Sequence, residues 1–204
     1  MIDYAFSLPL PISLWDLCGK TVFLMALAVG GRISELHSLS RHASLFQDSD
    51  DSITLHPNPL FLAKNEDPLN RFGPIHISAL RNEDGQPSLL CPVDNLRQYL
   101  MIQPSVPDES ALFLDPESKA PLSKFKLSLT LTRFISRADP QSVPKSHDLR
   151  KLASSHALFG GMTVKNILSK GRWSSYGVFR KHYAQLVTPT SKPFIALGNS
   201  TNRQ

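Results

Sequence analysis

A histidine and an arginine three residues apart, His147 and Arg150, open a helical pattern in the last third of the chain. Ser146 is a favourable N-cap, so we expect both side chains in the first turn of a helix, on one face. The free N–H groups and positive dipole end of that helix attract an anion. A guanidinium grips two phosphate oxygens at once, and an imidazole moves a proton near neutral pH. The pair indicates acid–base chemistry at a bound phosphate, although His-x-x-Arg alone occurs by chance in many proteins.

Trp173 and Tyr183 follow in the same basic segment. Trp173 comes after a Gly-Arg pair and offers one indole N–H donor with a large apolar body. Tyr183 comes directly after Arg180, Lys181 and His182. A tyrosine has an ordinary pKa of about 10, so as a nucleophile at neutral pH it needs a base or positive charge close by. These neighbours supply both, but a tyrosine near a helix end is more often a packing residue.

Arg32 stands at the start of a short helical pattern, directly after the break made by Gly30 and Gly31. At such a break the side chain can project out of the core, where an anion can reach it. The alternative is a structural arginine paired with Glu35, one helical turn further on.

Positive charge is concentrated in the same third of the chain. Residues 145–204 hold ten Lys or Arg and one acid, a net charge of +9, whereas residues 1–144 hold twelve and sixteen, a net charge of −4. This asymmetry points to nucleic acid more firmly than the overall charge of +5 does. A solvated basic face is the alternative.

Composition limits the other classes of function. The 204 residues, 41% of them apolar, can bury one sizeable core, and two cysteines are too few for a disulfide scaffold. No Cys-x-x-Cys or paired-histidine spacing suggests a metal, so we expect neither metal nor cofactor. The longest apolar run, Val22 to Val29, is far short of the ~20 residues that span a bilayer, and no signal peptide is visible. We therefore expect a soluble intracellular protein.

The elements that must position these residues follow from hydrophobic periodicity and from the breakers between them. Helices are predicted over residues 13–29, 32–39, 93–102, 122–137, 147–159, 163–170 and 175–185. Three short strands, SITLHP, FLAK and PIHIS, predict a small antiparallel sheet, and the acidic QDSDD before them is predicted to be a loop. The fold class is therefore α+β and mainly helical.

The helix predicted over residues 122–137 has a basic face. Lys126, Arg133 and Arg137 share one side, and the apolar residues share another. That face fits a DNA groove, although a merely solvated face explains it equally well. Arg172, in the Gly-Arg-Trp turn, completes the set of expected DNA contacts.

In order and spacing, these features resemble the catalytic domain of the tyrosine recombinases, the phage-integrase family. Arg-Ile-Ser-Glu-Leu is followed about 115 residues later by His-x-x-Arg, then by Gly-x-Trp about 23 further on and Tyr ten beyond that. The segment HPNPLFLAK places Lys64 at the end of a predicted strand, where that family carries a catalytic lysine. The resemblance covers roughly residues 15–185. The segments GRWSSYGVFRKHY and PNPLFLAK look closest in sequence to recombinases of eukaryotic mobile elements, such as DIRS-like and Crypton-like elements.

Two features depart from the family pattern. Most bacterial members have a spacing of nine where this chain has ten between Trp173 and Tyr183, so the assignment assumes one extra residue in the turn. Only 31 residues precede Arg32, where family members usually carry a helical core-binding domain. We therefore expect residues 1–186 to be a catalytic domain without that partner domain, and residues 187–204 to be an irregular or disordered tail.

The resemblance implies a reaction and a role for each residue. Tyr183 attacks a scissile phosphodiester, leaving a 3′-phosphotyrosyl link and a free 5′-hydroxyl, and a second DNA end then attacks that link. Arg32 and Arg150 clamp the non-bridging oxygens, with the indole N–H as a further donor. His147 assists the tyrosine as a base, and Lys64 protonates the leaving oxygen. No metal is required.

Double-stranded DNA is the expected partner, with self-association on DNA and a separate core-binding domain beside it. The expected location is the nucleus of a eukaryote or otherwise the cytoplasm or nucleoid. Two other interpretations stay open: a type IB topoisomerase, which reseals the same strand, and a non-catalytic DNA-binding remnant of a mobile element. A third, an unrelated interaction domain with a basic face, requires the ordered motifs to be coincidence.

Overall fold

The fold combines helices with a small sheet. The structure is a computed structural model, which describes residues 2–8, 12–64, 66–69, 71, 73–103, 111–141, 143, 145–173, 175–182 and 194–200. The helices of this part are α1 (Ile2–Ser7), α2 (Leu14–Val29), α3 (Ile33–His37), α4 (Pro92–Ile102), α5 (Lys124–Ala138), α6 (Asp148–Phe159), α7 (Val164–Lys170) and α8 (Tyr176–His182). The strands are β1 (Phe46–Ser49), β2 (Ser52–Leu55), β3 (Ile75–Ser78), β4 (Ile195–Ala196) and β5 (Asn199–Ser200).

Helix α2 lies at the centre of the core. Thirteen of its sixteen residues are buried, as expected for a helix that is apolar on nearly every side. Helices α4, α5 and α6 pack directly against it. Its N-cap is Ser13, as predicted, whose hydroxyl accepts the Asp16 N–H at 3.1 Å. It ends at Gly30, which takes the left-handed conformation typical of a C-terminal glycine (φ 59°).

Strands β1, β2 and β3 form the predicted three-stranded antiparallel sheet, in that order. Its inner face is apolar because Ile53 pairs with Ile77 and Leu55 pairs with Ile75, all four of them buried. The fold class predicted from the sequence, α+β and mainly helical, is confirmed.

The choice of strands was partly wrong. FLAK is not a strand: it lies in the connection between β2 and β3. The first strand is instead β1, which includes most of the acidic segment predicted to be a loop. Polar residues suit β1 because it is an edge strand with an exposed surface. Arg97 on α4 fixes it by donating to Asp48 Oδ1 at 2.6 Å and to the carbonyl of Ser49.

The end of the chain also differs from the predicted irregular tail. Residues 194–200 form the β4–β5 hairpin, and Phe194 to Leu197 are fully buried. The Leu197 N–H donates to the Leu27 carbonyl of α2 at 3.1 Å. Four consecutive apolar residues therefore dock on the central helix, although the sequence around them is rich in proline and polar residues. The remaining tail residues, 187–193 and 201–204, lie outside the described part.

The other helices match their predicted positions, with two differences. Helix α1 was not predicted, because proline-rich sequence follows it closely. The N-cap of α6 is His147, not Ser146, so the helix begins one residue later than expected. Across the part of the chain that the structure describes, no helix combines the length and apolar character needed to cross a membrane.

Candidate active site

One buried carboxylate joins three arginines. Glu35 on α3 is 1% exposed, and its Oε1 lies 2.9 Å from Arg32 Nη1. Its Oε2 lies 3.6 Å from Arg172 Nη1 and 4.0 Å from Arg150 Nη1. Three cations thus meet one anion, which leaves an excess of positive charge at a site where burial strengthens electrostatic interactions. We call Arg32, Glu35, Arg150 and Arg172 the arginine cluster.

The glycine pair after α2 makes room for the cluster. Arg32 is the N-cap of α3, and its backbone N–H donates to Glu35 Oε2 at 3.2 Å. A Cβ added to Gly31 would lie 2.8 Å from the same Oε2. A side chain at position 31 would therefore displace the carboxylate that holds the arginines. The Arg32 side chain keeps 27% of its surface exposed and gives the cluster its opening to solvent.

Arg150 ties three parts of the fold together. Its side chain is 2% exposed, and Nη1 donates to the Gly30 carbonyl at 3.1 Å while Nη2 donates to the Gly171 carbonyl. The guanidinium lies over the Trp173 ring, 3.8 Å from the centroid, in a cation–π contact. The first turn of α6, the end of α2 and the turn after α7 are therefore fixed to one side chain.

Trp173 is placed inward by the turn that carries it. Its indole Nε1 is buried, and a Cβ added to Gly171 would lie only 2.4 Å from that nitrogen. The ring also packs against Phe179 of α8, with centroids 6.0 Å apart. The indole thus supports Arg150 and α8 by packing, the alternative that its large apolar body allowed beside the predicted donor role.

His147 lies beside the cluster but at the surface. Its carbonyl accepts the Arg150 N–H at 3.2 Å, and its side chain is 58% exposed, with Nε2 3.6 Å from Asp148 Oδ1. Burial acts to raise the pKa of Asp148, but the Lys145 N–H, the Lys151 ammonium and the neighbouring imidazole outweigh it and lower that pKa. Because the His147 side chain is exposed, its imidazole is open to a ligand that reaches the start of α6.

The remaining predicted site residues are not all described. Lys64 is exposed in a turn of the β2–β3 connection, not at the end of a strand. Tyr183 lies outside the described residues, directly after α8. Phe179 of α8 is 1% exposed, four positions before Tyr183 in the sequence, and packs against Trp173. The helix that leads to Tyr183 is thus anchored next to the arginine cluster.

The basic face of α5 does not join the cluster. Lys126 Nζ is 3.1 Å from Asp115 Oδ2, and Arg137 pairs with Asp16 at the start of α2, while Arg133 is exposed. Asp16 and Gly30 are separated by fourteen residues, about 21 Å along the helix. The structure therefore joins Arg32, Arg150, Arg172 and Trp173, and leaves the three α5 cations as a second, partly neutralised surface.

A cleft of about 490 Å³ opens beside the cluster, between the end of α2, strand β3, the end of α7 and the β4–β5 turn. Lys170 and Arg172 line it together with His76, whose Nδ1 is 3.1 Å from Thr54 Oγ1. Within the described ranges, no group of three or more His, Cys, Asp or Glu side chains could hold a metal ion.

Sequence reasoning missed Glu35 as the centre of the site and treated it only as a partner for Arg32. The available signal was a single acid in the Arg-Ile-Ser-Glu motif. What could not be read from it is that residues more than a hundred positions away share the same carboxylate.

Comparison with known proteins shows the fold. No family model and no curated protein matches the sequence. Among solved structures, the chain is similar to XerA recombinase (18% identity, 89% of this chain and 60% of that one, TM-score 0.55). It is also similar to XerH site-specific recombinase bound to difH substrate in a pre-cleavage complex (14% identity, 91% of this chain and 47% of that one, TM-score 0.56). A third similar structure is the Flpe–Holliday junction complex (17% identity, 91% of this chain and 46% of that one, TM-score 0.54).

The chain therefore spans about half the length of these three solved proteins, from 46% to 60%. The shared part corresponds to the fold of tyrosine recombinase catalytic domains.

Proposed function

We propose that this chain breaks and rejoins DNA strands through a 3′-phosphotyrosyl intermediate on Tyr183, in site-specific recombination or in the integration of a mobile element. The observation that carries the proposal is the arginine cluster. Arg32, Arg150 and Arg172 come from three distant segments and converge on one buried carboxylate. The fold likeness to recombinases supports it.

The cluster suits phosphoryl transfer because the difficulty of that reaction is charge on the non-bridging oxygens. Donors that are fixed beforehand and aimed at that charge are usually the largest catalytic contribution. Here Glu35 and the backbone carbonyls hold the guanidinium groups in place, so little reorganisation is needed when a phosphate arrives. Arg32 is the most exposed of the three and is proposed to make the first contact.

Proton transfer is assigned to the two exposed groups. His147 at the start of α6 assists Tyr183 as a base, and Lys64 in the β2–β3 connection protonates the leaving 5′-oxygen. Because charge is supplied by side chains, the proposed reaction proceeds without a metal. Double-stranded DNA is the substrate, and recombination requires more than one copy of the chain on it.

A non-catalytic DNA-binding role is the second candidate. The observation that favours it is the burial of Arg150, which is 2% exposed and already donates to two carbonyls. A purely structural network would use the arginine in this way. The two candidates differ in one product, a covalent bond between protein and DNA.

The test is incubation with a nicked duplex whose cleaved strand loses its short end, so that a covalent intermediate accumulates. We expect an adduct on a denaturing gel, also in excess EDTA, that Tyr183→Phe abolishes. Tyr176→Phe, at the half-exposed tyrosine that begins α8, is the matched control and should keep the adduct. DNA binding without any adduct would instead support the non-catalytic role. On a duplex without the nick, where both ends are retained, resealing of the same strand without exchange would indicate a topoisomerase.

A further inference from the structure

Arg172 has a backbone conformation that residues other than glycine rarely adopt. Its φ is +55°, in the left-handed region, directly after Gly171 in a right-handed helical conformation. Glycine usually fills positions with this backbone conformation. Where another residue holds the conformation, the backbone is strained, and such strained residues cluster at functional sites. The side chain of Arg172 is 8% exposed, so the strain does not serve a surface contact.

The turn uses this conformation to send two consecutive side chains to the same site. Arg172 reaches inward to Glu35, at 3.6 Å, and Trp173 turns its ring under the guanidinium of Arg150, at 3.8 Å. The turn is closed by the Trp173 N–H, which donates to the Leu168 carbonyl at 2.9 Å. The ion pair to Glu35 is therefore placed to hold the turn in its strained form.

We infer that Arg172 is a positioning residue: its ion pair with Glu35 locks the turn after α7 and so keeps Trp173 stacked on Arg150. This inference rests on the proposed function for its effect on catalysis, and it replaces the direct DNA contact expected for Arg172 from the sequence. Arg150 is buried between that ring and two carbonyls, so loss of the ring would free its guanidinium to move. Displacement of a preorganised group by about 1 Å can cost about 10²-fold in rate.

Arg172→Gly tests the inference, because glycine accepts φ +55° without strain and removes the guanidinium that pairs with Glu35. Lys119→Gly is the matched control: Lys119 is also a cation with positive φ (+59°), in a turn that pairs with none of the cluster. Both variants are made in a Trp15→Phe background, which leaves Trp173 as the sole tryptophan of the chain. Acrylamide quenching of its fluorescence then reports directly how well the ring is shielded.

For Arg172→Gly we expect stronger quenching of Trp173 and a loss of about 10²-fold in the rate of adduct formation at saturating DNA, with DNA affinity changed less than about threefold. Lys119→Gly should change none of these. A shielded Trp173 in Arg172→Gly, or a loss confined to DNA affinity, would overturn the inference.

Two further outcomes separate this inference from the proposed function. If quenching rises but the parent protein forms no adduct, the positioning role stands and the proposed catalysis fails. If Arg172→Gly does not fold, Arg172→Lys decides, because lysine keeps an ion pair with Glu35 and should keep Trp173 shielded. Exposure of the ring in that folded lysine variant would count against the ion pair as the lock.

Discussion

At the scale of single residues, Arg150 shows both what the sequence predicts and what it omits. Its place in the first turn of a helix and its link to Arg32 follow from the motifs. Its partners do not, because the Gly30 and Gly171 carbonyls lie 120 and 21 positions away. Contacts across such separations depend on how helices pack, which local periodicity does not encode. The same reason explains why the central position of Glu35 was missed.

Arg150→Lys should keep the charge but lose activity. A lysine lacks the planar fork that bonds two carbonyls and stacks on Trp173, so the substitution is not conservative at this position. We expect adduct formation to slow by about 10²–10³-fold, the usual cost of one preorganised donor. Single-turnover rates on the nicked duplex measure it, with the exposed Arg133→Lys as the matched control. Near-normal rates in Arg150→Lys would refute the clamp.

At the scale of elements, amphipathic helices were predicted well because the 3.6-residue apolar period is strong in them. The polar edge strand β1 and the β4–β5 hairpin were not. An edge strand has no apolar period to show, and four apolar residues are too short a run to separate from a loop. Lys64 was misplaced at a strand end for the same reason, since FLAK resembles a strand by composition alone.

The docking of the hairpin can be tested at Gly30. A Cβ there would lie 1.9 Å from Leu197 Cδ2, and the residue has φ +59°. Gly85 also has positive φ (+78°), but a Cβ there would meet nothing within 4 Å. Gly85→Ala should therefore cost only the backbone strain, on the order of 1 kcal/mol, and Gly30→Ala should cost about 1–3 kcal/mol more through overpacking. Urea unfolding measures both, and equal losses would show that the hairpin does not dock on Gly30.

His156 makes the stability of the contact between the hairpin segment and α6 depend on pH. It is buried on α6 with its ring edge-on to Phe194, centroids 4.8 Å apart, and burial lowers its pKa below the ordinary value of 6.5. As pH falls through 6.5, the unfolded chain takes up a proton before the folded chain does. The stability that His156 contributes is therefore present above that pH and is lost below it.

We accordingly expect the free energy of unfolding to fall between about pH 7 and 5, and His156→Gln to make the fall shallower. Urea titrations of both proteins at several pH values measure the difference. A difference between the two proteins that stays constant over this range would mean that the imidazole is not protected from protonation by the fold.

At the scale of the whole molecule, the feature that matters is the separation of charge. The last sixty residues carry the excess of basic side chains, and Arg150 and Arg172 of the cluster, α7 and α8 belong to them. By contrast, acids pair with two of the three cations predicted on α5. Contacts of basic residues with phosphates give affinity without much sequence information. The chain should therefore bind duplex DNA mainly through its last third.

Salt dependence tests this view. For these residues we expect affinity for duplex DNA to fall by orders of magnitude between about 50 and 200 mM salt, with little preference among sequences. Lys165→Ala, on the exposed side of α7, should lower the slope of log affinity against log salt by about 1. Lys119→Gly, outside the basic third, should leave it unchanged. Tight, salt-tolerant and sequence-specific binding would show that a different surface reads the DNA.

The most direct measurement of the central claim is the identity of the two ends that cleavage leaves. The adduct formed on the nicked duplex is digested with a protease, and mass spectrometry locates the nucleotide on the peptide while end-labelling identifies the free DNA end. The proposed mechanism predicts a 3′-phosphate joined to Tyr183 and a free 5′-hydroxyl on the released strand. An adduct on Tyr176 or on any other residue, or one joined through a 5′-phosphate, would contradict it.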